Sequence, residues 1–247
     1  MPRINRFYLP PEQWSDPFVL SGSEAHHLTT VLRTPPGSTI SLFDGQGQEG
    51  MFEITSCTKK QVELKKQTIC LHEKPPTRIW LAPGWNRATR RGWFLEKAVE
   101  LGAWGILFWQ SDFSQGRVPH DSKDAWTGQC LAAAKQCANP WLPEIHTYPG
   151  GIRELIKTTQ SFDRVLFLWE GEDSSALLSP EHLRTPGDTL VILGPEGGFS
   201  RHEVMTIQEA GCTPLSLGNR ILRWETAALL CLGIAFWDAQ CAPHTSL

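Results

Sequence analysis

The chain of 247 residues is 40% hydrophobic and 20% charged, which excludes a disordered or fibrous protein and leaves length for one large domain or two modest ones. A formal net charge of −3 excludes a non-specific polyanion binder that works through a global positive field. The charge is unevenly spread: residues 1 to 77 hold 8 basic and 8 acidic side chains, 78 to 117 hold 6 against 3, and 118 to 247 hold 9 against 15. Any nucleic-acid surface must therefore be confined and read shape. The seven cysteines (57, 70, 130, 137, 212, 231, 241) are odd in number and show no CxxC or Cys/His metal spacing. Free buried thiols in a reduced compartment, and no metal, are expected. No signal peptide opens the chain, and its longest uncharged apolar run, Thr226 to Trp237, is too short for a bilayer. We expect a cytoplasmic protein with no membrane contact.

The first seventy residues read as a small β barrel or sandwich. Alternating runs at Thr39 to Phe43, Gly50 to Thr55 and Gln61 to Ile69 are split by turn residues, including the hairpin signal Asp44-Gly45. One helix, about Glu24 to Leu32, is stopped by Pro35, Pro36 and Gly37. His26 and His27 are adjacent and would point about 100° apart on that helix, so one packed and one solvent-facing histidine is expected. Arg33 could complement the helix dipole or touch a phosphate, and Arg6 has the same two readings. The polar, proline-paired segment His72 to Thr77 reads as a linker between a domain at 1–71 and a second at 78–239, followed by a frayed tail, 240–247.

The second section alternates strands (Arg78 to Ala82, Ala103 to Trp109, Arg164 to Trp169, Leu190 to Leu193, Leu215 to Leu217) with helices. The helices fall at about Arg91 to Leu101, Lys123 to Cys137, Gly151 to Thr158, Ser200 to Ala210 and Glu225 to Ala239. This is an α/β pattern with a mostly parallel sheet covered on both faces. The loop GWNRATRRGW carries Arg87, Arg90 and Arg91 between two tryptophans. It could grip single-stranded RNA by neutralising phosphates and stacking bases, or be a solvated loop whose tryptophans turn into the core. The final helix is apolar nearly all round from Ala227 to Trp237, so it should be buried on every side, in the core or against a second copy.

Two loops follow late strands. TLVILGPEGGFSRHEV, from Thr189, is a strand, a glycine-rich turn and a helix opened by Ser200 with Glu203 in capping-box position. LSLGNRILRWETAALL, from Leu215, repeats strand, loop and helix with Arg220, Arg223 and Glu225. Loops at the carboxyl ends of parallel strands are where open α/β sheets hold ligands. Phosphate is disfavoured in the first, because Pro195 removes a donor and Glu196 adds negative charge; a neutral or cationic ligand fits better. A tight turn with no ligand is the other reading.

GPEGGF followed by LGNRILRWETA resembles the signature pair of SPOUT-type RNA methyltransferases, in particular the bacterial 16S ribosomal RNA uridine-N3 methyltransferase family. RFY (6–8), HHLTTVLR (26–33), LFDGQG (42–47) and EKAVELG (96–102) match in the same order, so the likeness covers about residues 3 to 237. The resemblance implies an N-terminal PUA-like RNA-binding barrel and a C-terminal SPOUT α/β domain whose last third, about 190–237, is a deep trefoil knot. Periodicity alone would not suggest a knot. It also implies transfer of a methyl group from S-adenosylmethionine to uridine N3 in small-subunit ribosomal RNA, by a homodimer. Carried over by motif, cofactor contacts fall on Leu168, Glu170, Gly194, Gly198, Leu217, Gly218, Ile221 and Leu222. Arg223 would steady charge on the uracil and Glu225 would position or accept its proton, unless an Arg223–Glu225 ion pair opens the last helix instead. RNA contacts would fall on Arg6, Arg33, Arg87, Arg90 and Arg91. The sequence departs from the pattern at Asp112 and Phe113, where Glu-Arg-Ser is usual and Asp112-Phe113-Ser114 stands, at Lys135 and Asn139 on either side of Gln136, and at Arg87 and Gly92. Two arginines usual in the family are thus absent, which permits another target nucleotide; a non-catalytic RNA-binding protein of the same fold is a separate alternative, against which the intact LGPEGGF and ILRWETA loops stand.

Overall fold

Alternating apolar side chains give the N-terminal unit one buried sheet face. In this computed structural model, which describes residues 4–58, 60–87, 90–171 and 176–241, that unit comprises Met1–Lys74 and Leu131–Leu142. Its strands are β1 (Arg6–Tyr8), β2 (Phe18–Ser21), β3 (Thr39–Phe43), β4 (Gln48–Cys57) and β5 (Gln61–Leu71). They lie in the order β1-β3-β4-β5-β2, with β1 parallel to β3 and the rest antiparallel. Because β1 and β2 are edges, this is a half-barrel rather than a closed one. Phe7, Leu20, Leu42, Phe52 and Val62 form the buried face. The Asp44-Gly45 signal marks the β3–β4 connection, where the Asp44 carboxylate accepts from the Gln46 and Gln48 amides at 2.6 and 2.9 Å.

The expected first helix begins as α1 (Gly22–His26) and widens into a π-helical turn, His27–Val31, where the Leu32 amide donates to the His27 carbonyl at 3.0 Å. His26 and His27 are both exposed, not split between core and solvent as expected. Residues 131–142 belong with this unit although the sequence assigns them to the second domain. Lys135 reaches Glu24 at 2.6 Å, and the Leu142 amide donates to the Gly45 carbonyl at 2.9 Å.

The second unit, Pro75–Cys130 and Pro143–Leu247, is built on strands β6 (Thr77–Pro83), β7 (Gly105–Trp109), β8 (Glu144–Tyr148), β9 (Arg164–Leu168), β10 (Gly187–Leu193) and β11 (Thr213–Leu215). All are parallel, in the order β11-β9-β10-β6-β7-β8. The central strands read as continuous apolar runs because both faces are covered; Leu190 to Leu193 are buried throughout. The remaining helices of the chain are α2 (Arg91–Glu100), α3 (Asp124–Cys137), whose residues from Leu131 on belong to the first unit, α4 (Ile152–Thr158), α5 (Pro180–Leu183), α6 (Arg201–Glu209) and α7 (Trp224–Cys241). At the amino ends of the strands, Arg78 forks onto Asp188 at 2.9 and 2.8 Å and the Trp80 indole donates to the same carboxylate at 2.8 Å. This pins β6 to β10, and the hydrogen bond to Asp188 holds the Arg78 pKa above its usual value.

Helix α7 departs from the sequence reading in its length. It continues to Cys241, beyond the expected end at Ala239, with Asp238 held by Arg184 at 2.7 and 3.1 Å; residues 242–247 of the expected tail lie outside the described residues. In the single chain Leu230, Phe236 and Trp237 on this helix are 40%, 41% and 68% exposed, so the core alone does not cover it. Among the described residues no helix is long and apolar enough to cross a membrane.

All seven cysteines are free, but only Cys130, Cys212 and Cys231 are buried. Burial pushes the Cys130 and Cys231 thiols up to about 12 and Cys212 to about 11. Because only the thiolate reacts, iodoacetamide at pH 8 should label exposed Cys70 in the native protein and reach these three only after unfolding. Peptide mass mapping reads this directly, and native labelling of Cys130 or Cys231 would contradict the fold.

Candidate active site

The registers Leu193↔Leu168 and Leu215↔Leu168 bring the carboxyl ends of β9, β10 and β11 level. The three loops that follow enclose a cavity of about 430 Å³. Seven of the eight residues expected around the cofactor line it: Leu168 and Glu170 from the first loop, Gly194 and Gly198 from the second, Leu217, Ile221 and Leu222 from the third. Gly218 is not a wall. Its amide donates to the Ser216 hydroxyl at 3.1 Å with φ +111°, so it shapes the third turn. Sequence reasoning missed Trp169, Phe199 and Trp224, which add aromatic walls. Their signal was position, since Trp169 follows the end of β9, Phe199 ends the glycine loop before Ser200, and Trp224 is the first residue of α7.

The chemistry of the walls narrows the ligand. Among the described residues the charged ones lining the cavity are Glu170 and Glu196; no lysine or arginine contributes. With Pro195 also lacking an N–H, this is a poor cradle for a polyphosphate and a suitable one for a neutral or cationic molecule with an apolar, aromatic part. The glycine loop folds on itself, the Gly198 amide donating to the Pro195 carbonyl at 2.9 Å with φ +73°. It also presses against the loop after β6: a Cβ on Gly84 would lie 2.6 Å from Pro195 Cδ.

Helix α6 begins where the sequence predicts. The Ser200 hydroxyl accepts from the Glu203 amide at 3.2 Å, and Glu203 Oε2 accepts from the Ser200 amide at 2.7 Å. The other carboxylate oxygen, Oε1, accepts from the Asp112 amide at 2.8 Å. Glu203, buried to 1% exposure, thus clamps the glycine loop to the loop after β7.

Beside the cavity, Arg223 precedes α7 and is exposed, its carbonyl accepting from the Ala227 amide at 2.9 Å. Glu225, in the first turn, is only 4% exposed. Its nearest cation is Arg90, 3.7 Å from Oε1. The Arg223–Glu225 pair that the sequence left open does not form, because the loop after β6 supplies the partner. Glu225 Oε2 is buried with no hydrogen-bond partner.

The five arginines expected to meet RNA divide. Arg33, Arg87 and Arg90 are exposed. Arg91 is a correction: its guanidinium lies 3.8 Å over the Trp85 ring and donates to the Asn86 carbonyl at 2.6 Å, and burial lowers its pKa. Arg6 is a second correction, since it faces inward, 2.8 Å from Glu49 and 4.6 Å over the Phe43 ring, with its side chain 9% exposed. The two tryptophans of the basic loop also divide: Trp85 is core and Trp93 is half exposed.

Residues 73–235 match the RNA methyltransferase domain family, and residues 20–67 match the RNA methyltransferase PUA domain. The chain belongs to this RNA methyltransferase family. It is 29% identical over 238 residues to ribosomal RNA small subunit methyltransferase E of Bacillus subtilis, covering 90% of this chain and 91% of the relative. Its fold matches that of ribosomal RNA small subunit methyltransferase E from Neisseria gonorrhoeae, a structure bound to S-adenosyl methionine, with a TM-score of 0.76, 26% identity and 94% and 96% coverage. It also matches a putative methyltransferase from Legionella pneumophila in complex with the cofactor SAM, with a TM-score of 0.79, 27% identity and 96% and 98% coverage.

Replacing Glu203 by alanine removes the acceptor for two loop amides. We expect a loss of about 2–4 kcal/mol and a lower melting temperature by roughly 5–15 °C. Calorimetry measures both, and an unchanged melting temperature would show that the clamp is dispensable.

Proposed function

We propose that this protein transfers a methyl group from S-adenosylmethionine to N3 of a uridine in 16S ribosomal RNA. The observation that carries the reading is the cavity at the ends of β9, β10 and β11, apolar and glycine-lined, with carboxylates but no basic side chain among its described walls. S-adenosylmethionine, a cation with an aromatic base and hydroxyl groups, suits those walls, and when bound it supplies an electrophilic methyl group. Gly194 and Gly198 let the backbone approach the adenosine, Leu168, Leu217, Ile221 and Leu222 give apolar contact, and Glu170 can accept from hydroxyls.

Uridine N3 carries a proton that must leave as its lone pair takes the methyl. Arg223, exposed beside the cavity, steadies negative charge on the uracil. Glu225 has a carboxylate oxygen without a protein donor, and it takes the N3 proton or holds Arg90 in place. A positioned base adds about 10² to 10⁴ in rate. Arg33, Arg87 and Arg90 meet RNA phosphates, Trp93 offers a face to an unpaired base, and the enzyme works in the cytoplasm.

Two further features belong to this reading. The exposed Leu230, Phe236 and Trp237 on α7 support a homodimer built on that helix. A trefoil knot over 190–237 belongs to the same reading through the family likeness; the chain leaves edge strand β11 and returns as α7 to pack on β6 and β10. Phe113 and Asn139, where the family usually has arginine, favour a second reading in which a different nucleotide is methylated.

Mass mapping of 16S ribosomal RNA from cells with and without the gene should show one N3-methyluridine lost on deletion; a different modified base selects the second reading. In calorimetry S-adenosylmethionine should bind the purified protein, and absence of binding would leave an RNA-binding protein without catalysis. Glu225→Gln should lower kcat about 10²-fold or more if the carboxylate is the base, whereas near-normal turnover removes it from the chemistry. Light scattering should give a dimer mass for the wild type and a monomer for Trp237→Asp.

A further inference from the structure

Phe113 is 50% exposed on a turn that is otherwise firmly held. The Ser111 amide donates to the Ser114 hydroxyl at 2.8 Å, the Phe113 amide to the Ser111 hydroxyl at 3.2 Å, and the Ser114 amide to the Ser111 carbonyl at 3.0 Å. Asp112 is tied to α6 on both sides, its amide donating to Glu203 and its carboxylate accepting from the Ser200 hydroxyl. These bonds hold the backbone that carries the ring.

That place is the outer rim of the glycine loop. A Cβ built on Gly197 would fall 2.8 Å from Phe113 Cβ and 3.4 Å from its Cγ, and Gly197 is itself a wall of the cavity. An apolar ring left half in water at a rigid position gives up burial energy that a mobile turn or a polar residue would not. A preorganised aromatic face is what an unpaired nucleobase uses, since stacking needs no particular base and little ordering of the protein.

We infer that Phe113 is a base-stacking subsite, holding a nucleobase of the substrate RNA against the rim of the cavity so that the methylated base stays in register with the donor. This rests on the proposed methyl transfer. It assigns the loop after β7 to substrate positioning and separates it from cofactor binding, which the three loops after β9, β10 and β11 supply.

The test uses the full-length protein with Phe113→Ala, Phe113→Leu and Phe113→Trp, measuring S-adenosylmethionine affinity by calorimetry, oligomeric mass by light scattering, and steady-state methylation of ribosomal RNA. Leucine keeps apolar bulk but no π face, so it separates stacking from packing. The expected result is unchanged cofactor affinity and mass in all three, kcat/KM for RNA lowered about tenfold or more in the alanine and leucine variants, and near wild-type kcat/KM in the tryptophan variant. Wild-type kcat/KM in Phe113→Ala or Phe113→Leu overturns the inference, as does a change of oligomeric mass or a loss of cofactor affinity in Phe113→Ala. If the wild-type protein neither binds S-adenosylmethionine nor methylates RNA, the proposed function itself has failed. A wild type that is active alongside variants that match it isolates the failure to Phe113.

Discussion

The two oxygens of the Glu203 carboxylate serve two loops at once, and the geometry of the candidate site depends on that division. One oxygen closes the capping box of α6 and so fixes where the glycine loop ends; the other holds the amide of Asp112 and so fixes the loop after β7. A carboxylate this deeply buried is tolerable because two N–H groups point at it and because the first turn of a helix is positive. The glycine loop is pinned from its other side by Gly84, where even a methyl group would collide with Pro195. These two contacts hold the loop from opposite sides, which suits a binding wall made mostly of backbone.

The placement of charge follows a separate logic. Basic side chains stay out of the described cavity walls, while Arg87, Arg90 and Arg223 stand exposed in the loops after β6 and β11. Other arginines are consumed inside the fold, Arg91 by an indole face and Arg6 by Glu49 and Phe43. A chain of net charge −3 can therefore present positive charge locally without becoming a general polyanion binder.

Much of this was legible in the residues, and the failures have physical causes. Long buried strands and capped helices declared themselves: Leu190 to Leu193 is a continuous apolar run, and Ser200 with Glu203 spells a helix start. β1, β2 and β8 did not, because Arg6–Tyr8 and Phe18–Ser21 are too short to show a period and Glu144–Tyr148 carries little apolar alternation. Seven of the eight expected cofactor residues line the cavity, since strand-end loops are local features; Gly218 does not, because its role lies in the turn. What the sequence could not supply was pairing between distant loops. Glu225 faces Arg90 from the loop after β6, Glu203 holds Asp112 from the loop after β7, and Arg6 and Arg91, which read as surface charge, are drawn inward by partners that only the fold brings near.

The neighbours of β6 are β7, which follows it closely, and β10, whose Asp188 lies 110 positions after Arg78. The last cavity wall, Ala227, is later still. Contacts of such long sequence separation close late, and synthesis runs from the amino end. A nascent chain can thus complete its early hairpins while possessing no crevice at all. The crevice lacks part of its wall until Ala227 has been made.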